Sequence, residues 1–259
     1  MLPVWLSDTV TTDVSRALHY TGLWGLEGVE LRRVGHGVVP DVPNERVLRD
    51  RLAAEEWAVA AMEPGLFEGT ATDSAAAFGD LARLDEVLAF ARRIAGPVIV
   101  VGGFAPDGFD LAAAADVLRR AGKKAKTAGA TLAVLNSPDA ATRTGADLAR
   151  LLDAVGHEAV GAAWHPAHAA MAGERPADGL AALGQRVRHV RVRDGALEAN
   201  GAWADALVGE GAVGWEEQVA ILRATGYGGA LSLEVHPVDD LPLAKVGLRS
   251  GTAVARLAR

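Results

Sequence analysis

Eight apolar strand patterns recur at roughly thirty residues with helical patterns between most of them, the rhythm of an α/β chain folded as a (β/α)8 TIM barrel. One barrel is favoured over two half-size α/β domains because no Pro-, Gly- or Ser-rich linker or composition shift divides residues 1–259. Half of the chain is apolar, enough to fill a large core. A single barrel domain over 1–259 is the expectation.

The elements follow in order. Pro3–Leu6 reads as the first strand, and 13–22 as a helix closing on Gly22. Gly28–Arg32 is the second strand, 44–56 a helix and Ala58–Met62 the third strand, with Glu63-Pro64-Gly65 as the loop after it. Residues 74–94 form the clearest helix, with Leu81, Leu84, Leu88 and Ile94 on one face and Asp73 or Ser74 as N-cap. Val98–Val101 is a continuous apolar run, as expected for a strand covered on both faces. A helix over 110–127, a strand over 132–136, a helix over 146–155 and a strand over 160–165 come next. A short helix over 177–183 leads to a strand over 187–193. Gly209, Gly211 and Gly214 make a flexible loop, and Trp215-Glu216-Glu217 opens a helix with acidic residues at its electropositive end. Gly226 stops it, 231–236 is the eighth strand, and the chain ends in a helix broken at Pro242.

Composition narrows the function classes. No run of eighteen apolar residues is present and Met1–Trp5 lacks a basic start, so neither a membrane span nor a secretory leader is expected and the cytoplasm is the default location. With no Cys there is no disulfide framework and no thiolate chemistry. A net charge of −7 argues against nucleic acid as a partner. Gly102-Gly103 and the Gly-Glu-Gly loop lack the Lys and Ser/Thr of a phosphate loop, and no G-x-S-x-G nucleophile elbow occurs.

In such a barrel the active site is built from the C-terminal ends of the strands, and alternation says which side chains point inward. The fifth strand presents Ala133, Leu135 and Ser137, and the sixth Ala163 and His165. On the seventh, His189, Arg191 and Arg193 share one face, and on the eighth Ser232, Glu234 and His236. Trp5, Glu30, Arg32 and Glu63 are the inward candidates of the earlier strands.

The segment from Val208 to Pro237, with its GEG loop, Trp-initiated helix, "GY-G" and "LSLE", resembles the last unit of the xylose-isomerase-like sugar phosphate isomerase/epimerase family. "TGLWGLEGVELR" resembles the family's second strand and the turn before it. The resemblance implies one divalent metal held by Glu, Asp, His and Glu on the fifth to eighth strands. The matching positions here carry Leu135, His165, Arg191 and Glu234, and only Glu234 keeps the family's residue. His168 matches a His that contacts substrate in the family.

Leu has no lone pair to ligate a metal and the Arg guanidinium none to give. The resemblance therefore implies a divergent member without the usual cofactor, acting as an isomerase or epimerase on a small sugar, sugar acid or related carbonyl compound. Glu234 is expected as acid/base, His168 and His165 as groups that orient or protonate substrate oxygens, and Arg191 as the positive charge in place of the cation. Arg193, Glu63, Glu30, His236 and Trp5 are expected around a small-molecule substrate, with Arg193 suited to a carboxylate or phosphate. The alternatives are a single Mn, Zn or Mg ion held through His165 and Glu234, with His168 or His236 completing the set. A lyase or dehydratase working through the same enolate, and a barrel that binds a ligand or partner without catalysis, are the other readings. Metal-dependent endonucleases of the same superfamily need more His and acidic ligands than this chain offers.

Overall fold

In a computed structural model describing residues 1–259, eight parallel strands close into a barrel. They are β1 (Leu2–Leu6), β2 (Gly28–Leu31), β3 (Ala58–Met62), β4 (Val98–Val101), β5 (Thr131–Leu135), β6 (Val160–Trp164), β7 (Val187–Val192) and β8 (Ala230–Leu233). Each strand pairs with its neighbours in sequence, and β1 closes on β8 with Leu2 opposite Ala230 and Trp5 opposite Leu233. The helices are α1 (Val14–Leu23), α2 (Glu45–Ala54), α3 (Ser74–Ile94), α4 (Leu111–Ala128), α5 (Gly145–Val155), α6 (Pro166–Met171), α7 (Pro176–Leu183), α8 (Trp215–Ala224) and α9 (Leu243–Ala258). None is long and apolar enough to cross a membrane.

The helix ends obey local chemistry. Asp73 caps α3 by accepting the N–H groups of Ala75 and Ala76, and Asp110 caps α4 through Ala113. Thr144 and Asp147 exchange hydrogen bonds in a capping box at the start of α5. Pro242 stands at the N-cap of α9, so it begins the last helix where a break within it was expected.

Two apolar regions result. A large one fills the space between strands and helices, with Leu132 and Val134 turned outward into it as their alternation requires. The smaller, inside the barrel, consists of Ala61, Val100, Ala133, Leu135 and Ala163. These small residues come from β3 to β6, and the opposite half of the interior carries Glu30, His189, Arg191 and Ser232, all buried. One half of the barrel is thus packed with methyl groups and the other with a hydrogen-bonded ionic network.

Trp5 corrects the expected phase of β1. Its ring meets Trp24 edge-on at 4.6 Å, and its Nε1 donates to Thr21 Oγ1 at 2.9 Å. It therefore faces α1, outside the barrel, where Trp24 packs on the indole and Thr21 accepts its N–H. Trp24 is in turn seated on α9, where a Cβ at Gly247 would lie 2.2 Å from the indole and one at Gly251 2.9 Å from Trp24 Cβ.

Two antiparallel hairpins interrupt the repeat near the site. One pairs Arg33–Val34 with Gly37–Val38, the other Asp194–Leu197 with Trp203–Ala206. The second lies between the seventh strand and the glycine loop, in a stretch where no element was expected. That loop is tied down, since buried Asp194 accepts the N–H groups of Gly195, Gly209 and Val213.

Candidate active site at the mouth of the barrel

Arg191 lies at the floor of the mouth. Its Nη2 donates to Glu30 Oε1 at 2.5 Å and to Glu63 Oε2 at 2.8 Å, while Nη1 stands 3.9 Å from Glu234 Oε2. The expected partner, Glu234, is thus the most distant of three carboxylates, and the tight partner comes from β2 across the barrel. Glu30 also accepts from His189 Nε2 at 2.9 Å and Ser232 Oγ at 2.6 Å. Burial works to raise its pKa, but the Arg191 guanidinium and His189 outweigh that and hold it well below the usual carboxylate range. Burial likewise opposes the charge on Arg191, and Glu30, Glu63 and Glu234 together keep it protonated. Glu30 and His189 therefore act as the buried support of Arg191, beneath the surface a substrate can reach.

Glu234 follows β8 directly, its N–H donating to Val192 O at 2.8 Å so that the ladder with β7 fixes its backbone. His165 Nε2 lies 3.2 Å from Oε2 and His236 Nε2 2.7 Å from Oε1. Burial pushes the Glu234 pKa up, but the two histidine hydrogen bonds and Arg191 outweigh it and leave the group well below the ordinary carboxylate value. An ionised carboxylate only accepts, so both histidines donate through Nε2. That assignment fits His165, whose Nδ1 accepts the His168 N–H at 3.3 Å and caps α6. His236 is the more exposed ring, with 28% of its side chain accessible against none for His165.

His168 stacks on His165 with ring centroids 3.4 Å apart and donates Nδ1–H to the Asn136 carbonyl at 2.9 Å. Burial, reinforced by His165, pulls its pKa down to about 2. Burial also lowers the pKa of His165, against the pull of Glu234. Both rings are therefore neutral, and His168 offers Nε2 as an acceptor. Asn136, at the end of β5, holds His165 from both sides: its Oδ1 accepts the His165 N–H at 2.8 Å and its Nδ2 donates to the His165 carbonyl at 3.0 Å.

Arg193 is brought to the same rim but is already engaged. Its Nε and Nη2 grip Asp205 at 2.6 and 3.0 Å, and Trp203 Nε1 donates to the same carboxylate at 3.0 Å. Asp205, Asn136 and Asp8 did not stand out in the sequence. Asp205 sits in an unpredicted hairpin, and Asn136 has one visible signal, its place directly after inward-facing Leu135.

Two clefts open at the mouth. One, of about 290 Å3, has Gly102, Gly103, Leu135 and Ser137 among its lining. Close packing demands the glycine pair: a Cβ on Gly102 would lie 2.8 Å from the Phe67 carbonyl oxygen, and one on Gly103 1.8 Å from Thr142 Oγ1. The other, of about 460 Å3, lies between the ends of β1, β2 and β3 and is lined by Asp8, Thr12, Arg32 and neighbours. Glu63 and Glu68 border both.

The model of the xylose isomerase-like TIM barrel family matches residues 23–251. The chain belongs to that family. Among solved structures it is similar to an L-ribulose 3-epimerase, at 18% identity and a TM-score of 0.75, over 97% of this chain and 93% of that one. A D-allulose 3-epimerase from Methylomonas sp., solved with D-allulose, matches at 14% identity and a TM-score of 0.75, over 100% and 94% of the two chains. An IOLI protein carrying a zinc atom matches at 13% identity and a TM-score of 0.78, over 100% and 95%. No curated protein sequence matches significantly.

The donor set of this family member does not fit a divalent ion at the family's position. Leu135 and Arg191 replace two donors, and no group of three His, Asp or Glu side chains is arranged so as to hold a metal ion. His165 Nε2–H, turned to Glu234, presents a proton where a ligand would present a lone pair.

Proposed function

We propose that the protein is an isomerase or epimerase of small sugars or related carbonyl compounds, working by proton transfer next to a carbonyl without a divalent metal. The observation that carries this reading is Arg191 Nη1, free of hydrogen bonds and 3.9 Å from the Glu234 carboxylate. A positive donor and a base side by side are what enolisation needs. The family, and the epimerases that share its fold, support the reaction class.

In this reading the substrate carbonyl oxygen accepts from Arg191 Nη1, which acidifies the neighbouring C–H. Glu234, backed by His236, takes that proton, and the carbonyl becomes an enediolate whose oxygen Arg191 stabilises. Return of that proton by Glu234 to the adjacent carbon, with the hydroxyl proton passing between the two oxygens, gives isomerisation, whereas epimerisation requires a second acid on the opposite face of the carbon. A carboxylate held as low as Glu234 is a weak base, so the C–H it attacks must already be activated by a carbonyl. His168 Nε2 accepts a substrate hydroxyl, and neutral His165 keeps Glu234 aligned. Arg193, held by Asp205 through Nε and Nη2, keeps Nη1 for an anionic substrate group.

The test is wash-in of deuterium from D2O into a panel of ketoses, aldoses and keto-sugars, with mass detection. Exchange that disappears in Glu234→Gln supports the reading, and no exchange across the panel removes it. A second reading, a barrel that only binds, is favoured by the Glu30–His189–Ser232 network, which is hydrogen-bonded without any ligand. It predicts binding without exchange.

A further inference from the structure

The larger cleft at the mouth is not used by the chemistry above, and its lining differs from that of a core-like pocket. Asp8, Thr12, Arg32, Arg33, Glu63 and Glu68 supply most of its wall, and Val38 is its one apolar side chain. At about 460 Å3 it falls within the roughly 300–1,000 Å3 typical of small-ligand sites, yet those are mostly apolar. A wall this polar suits a polyhydroxylated ligand, and the exposed Val38 offers a patch for the C–H face of a sugar ring.

One atom points to a missing donor. The Asp8 side chain is 2% exposed, and its Oδ2 accepts Arg32 Nε at 2.8 Å, but Oδ1 is buried with no hydrogen-bond partner. A buried carboxylate oxygen left unpaired is costly unless a donor arrives, and a sugar hydroxyl is such a donor. Thr12 and Arg33 add a hydroxyl and a guanidinium at the same wall. Arg32 links this cleft to the reaction floor: its Nη1 lies 3.5 Å from Glu63 Oε2, the atom that Arg191 also holds. Glu63 and Glu68 form the border shared with the smaller cleft. Two adjoining spaces therefore meet at one carboxylate pair, of which Glu63 holds the Arg191 guanidinium.

We infer that the Asp8–Arg32 cleft is a subsite for a second sugar unit, so that the substrate is a disaccharide or other glycoside with its reacting unit beside Glu63 and Arg191. This rests on the sugar reading of the site and specifies its substrate class. The second unit donates a hydroxyl to Asp8 Oδ1 and accepts from Thr12 or Arg33.

Calorimetric titration with glucose, cellobiose, maltose and trehalose tests the subsite without turnover. At least one disaccharide is expected to bind about tenfold more tightly than glucose. Asp8→Asn should bring that ratio close to one. Thr12→Val, which leaves the Asp8–Arg32 pair in place, should reduce it about threefold and serves if Asp8→Asn does not fold. Equal affinity for glucose and every disaccharide, no binding by any disaccharide, or an advantage untouched by both substitutions overturns the inference. Deuterium wash-in separates it from the proposed reaction. A disaccharide held through Asp8 without exchange removes the reaction and leaves the subsite, whereas exchange on monosaccharides with no disaccharide advantage removes the subsite alone.

Discussion

Arg191 joins the two parts of the site. Nη2 is committed to Glu30 and Glu63, and Nη1 remains for a substrate oxygen. Arg191→Met leaves Glu30 buried with its main counter-charge gone. It should destabilise the protein by about 3–5 kcal/mol, read as a lower midpoint in urea unfolding. A loss below about 1 kcal/mol would mean that the Glu30 network does not depend on the guanidinium. Glu234→Gln should lower deuterium wash-in by about 10²–10⁴-fold while the circular dichroism spectrum stays native. Much of this constellation was legible: His165, Arg191 and Glu234 follow from strand phase and from the family resemblance. The pairing of Arg191 with Glu30 was not, because β2 and β7 are separated in the barrel by β1 and β8 and sequence periodicity says nothing about contacts across the lumen. Arg193 shows the same limit, since its partner Asp205 stands on a hairpin that no alternation announced.

At the scale of elements, the strands and long helices were readable because length and periodicity agree in them. Ser74–Ile94 and Val98–Val101 fall where their patterns put them. β1 was readable as a strand but not in phase: Leu2-Pro3-Val4-Trp5-Leu6 is apolar on both faces, so nothing in it chooses a side for Trp5. The choice is made by α1 and α9, where Thr21 accepts the Trp5 N–H and Gly247 and Gly251 make room for Trp24. Gly247→Val should therefore push on the Trp24 indole and cost about 1–3 kcal/mol, measured as a fall in thermal midpoint. An unchanged midpoint would show that α9 shifts freely on the barrel.

For the whole molecule, the buried ionisable groups predict how stability depends on pH. His165 and His168 are held neutral in the folded state, chiefly by burial. In the unfolded chain they take up protons below about pH 6.5, so stability should fall as the pH drops through that range. Glu30 and Glu234 stay ionised when folded, and the unfolded carboxylates protonate below about pH 4.3, which adds a second, steeper loss. Each group contributes at most roughly 1.4 kcal/mol per pH unit within its window. Urea midpoints should decline from about pH 7 to 5 and faster below about 4; a flat profile from 7 to 5 would mean that both histidines titrate normally in the fold. Arg191 is proposed to polarise the substrate carbonyl on its own, in a fold shared with a zinc-bearing protein. The most direct test is deuterium wash-in on the panel of keto-sugars after exhaustive chelation, with elemental analysis of the same sample. Exchange should persist in metal-free protein and vanish in Glu234→Gln, whereas exchange lost on chelation and restored by stoichiometric Mn, Zn or Mg would show that Arg191 does not act alone.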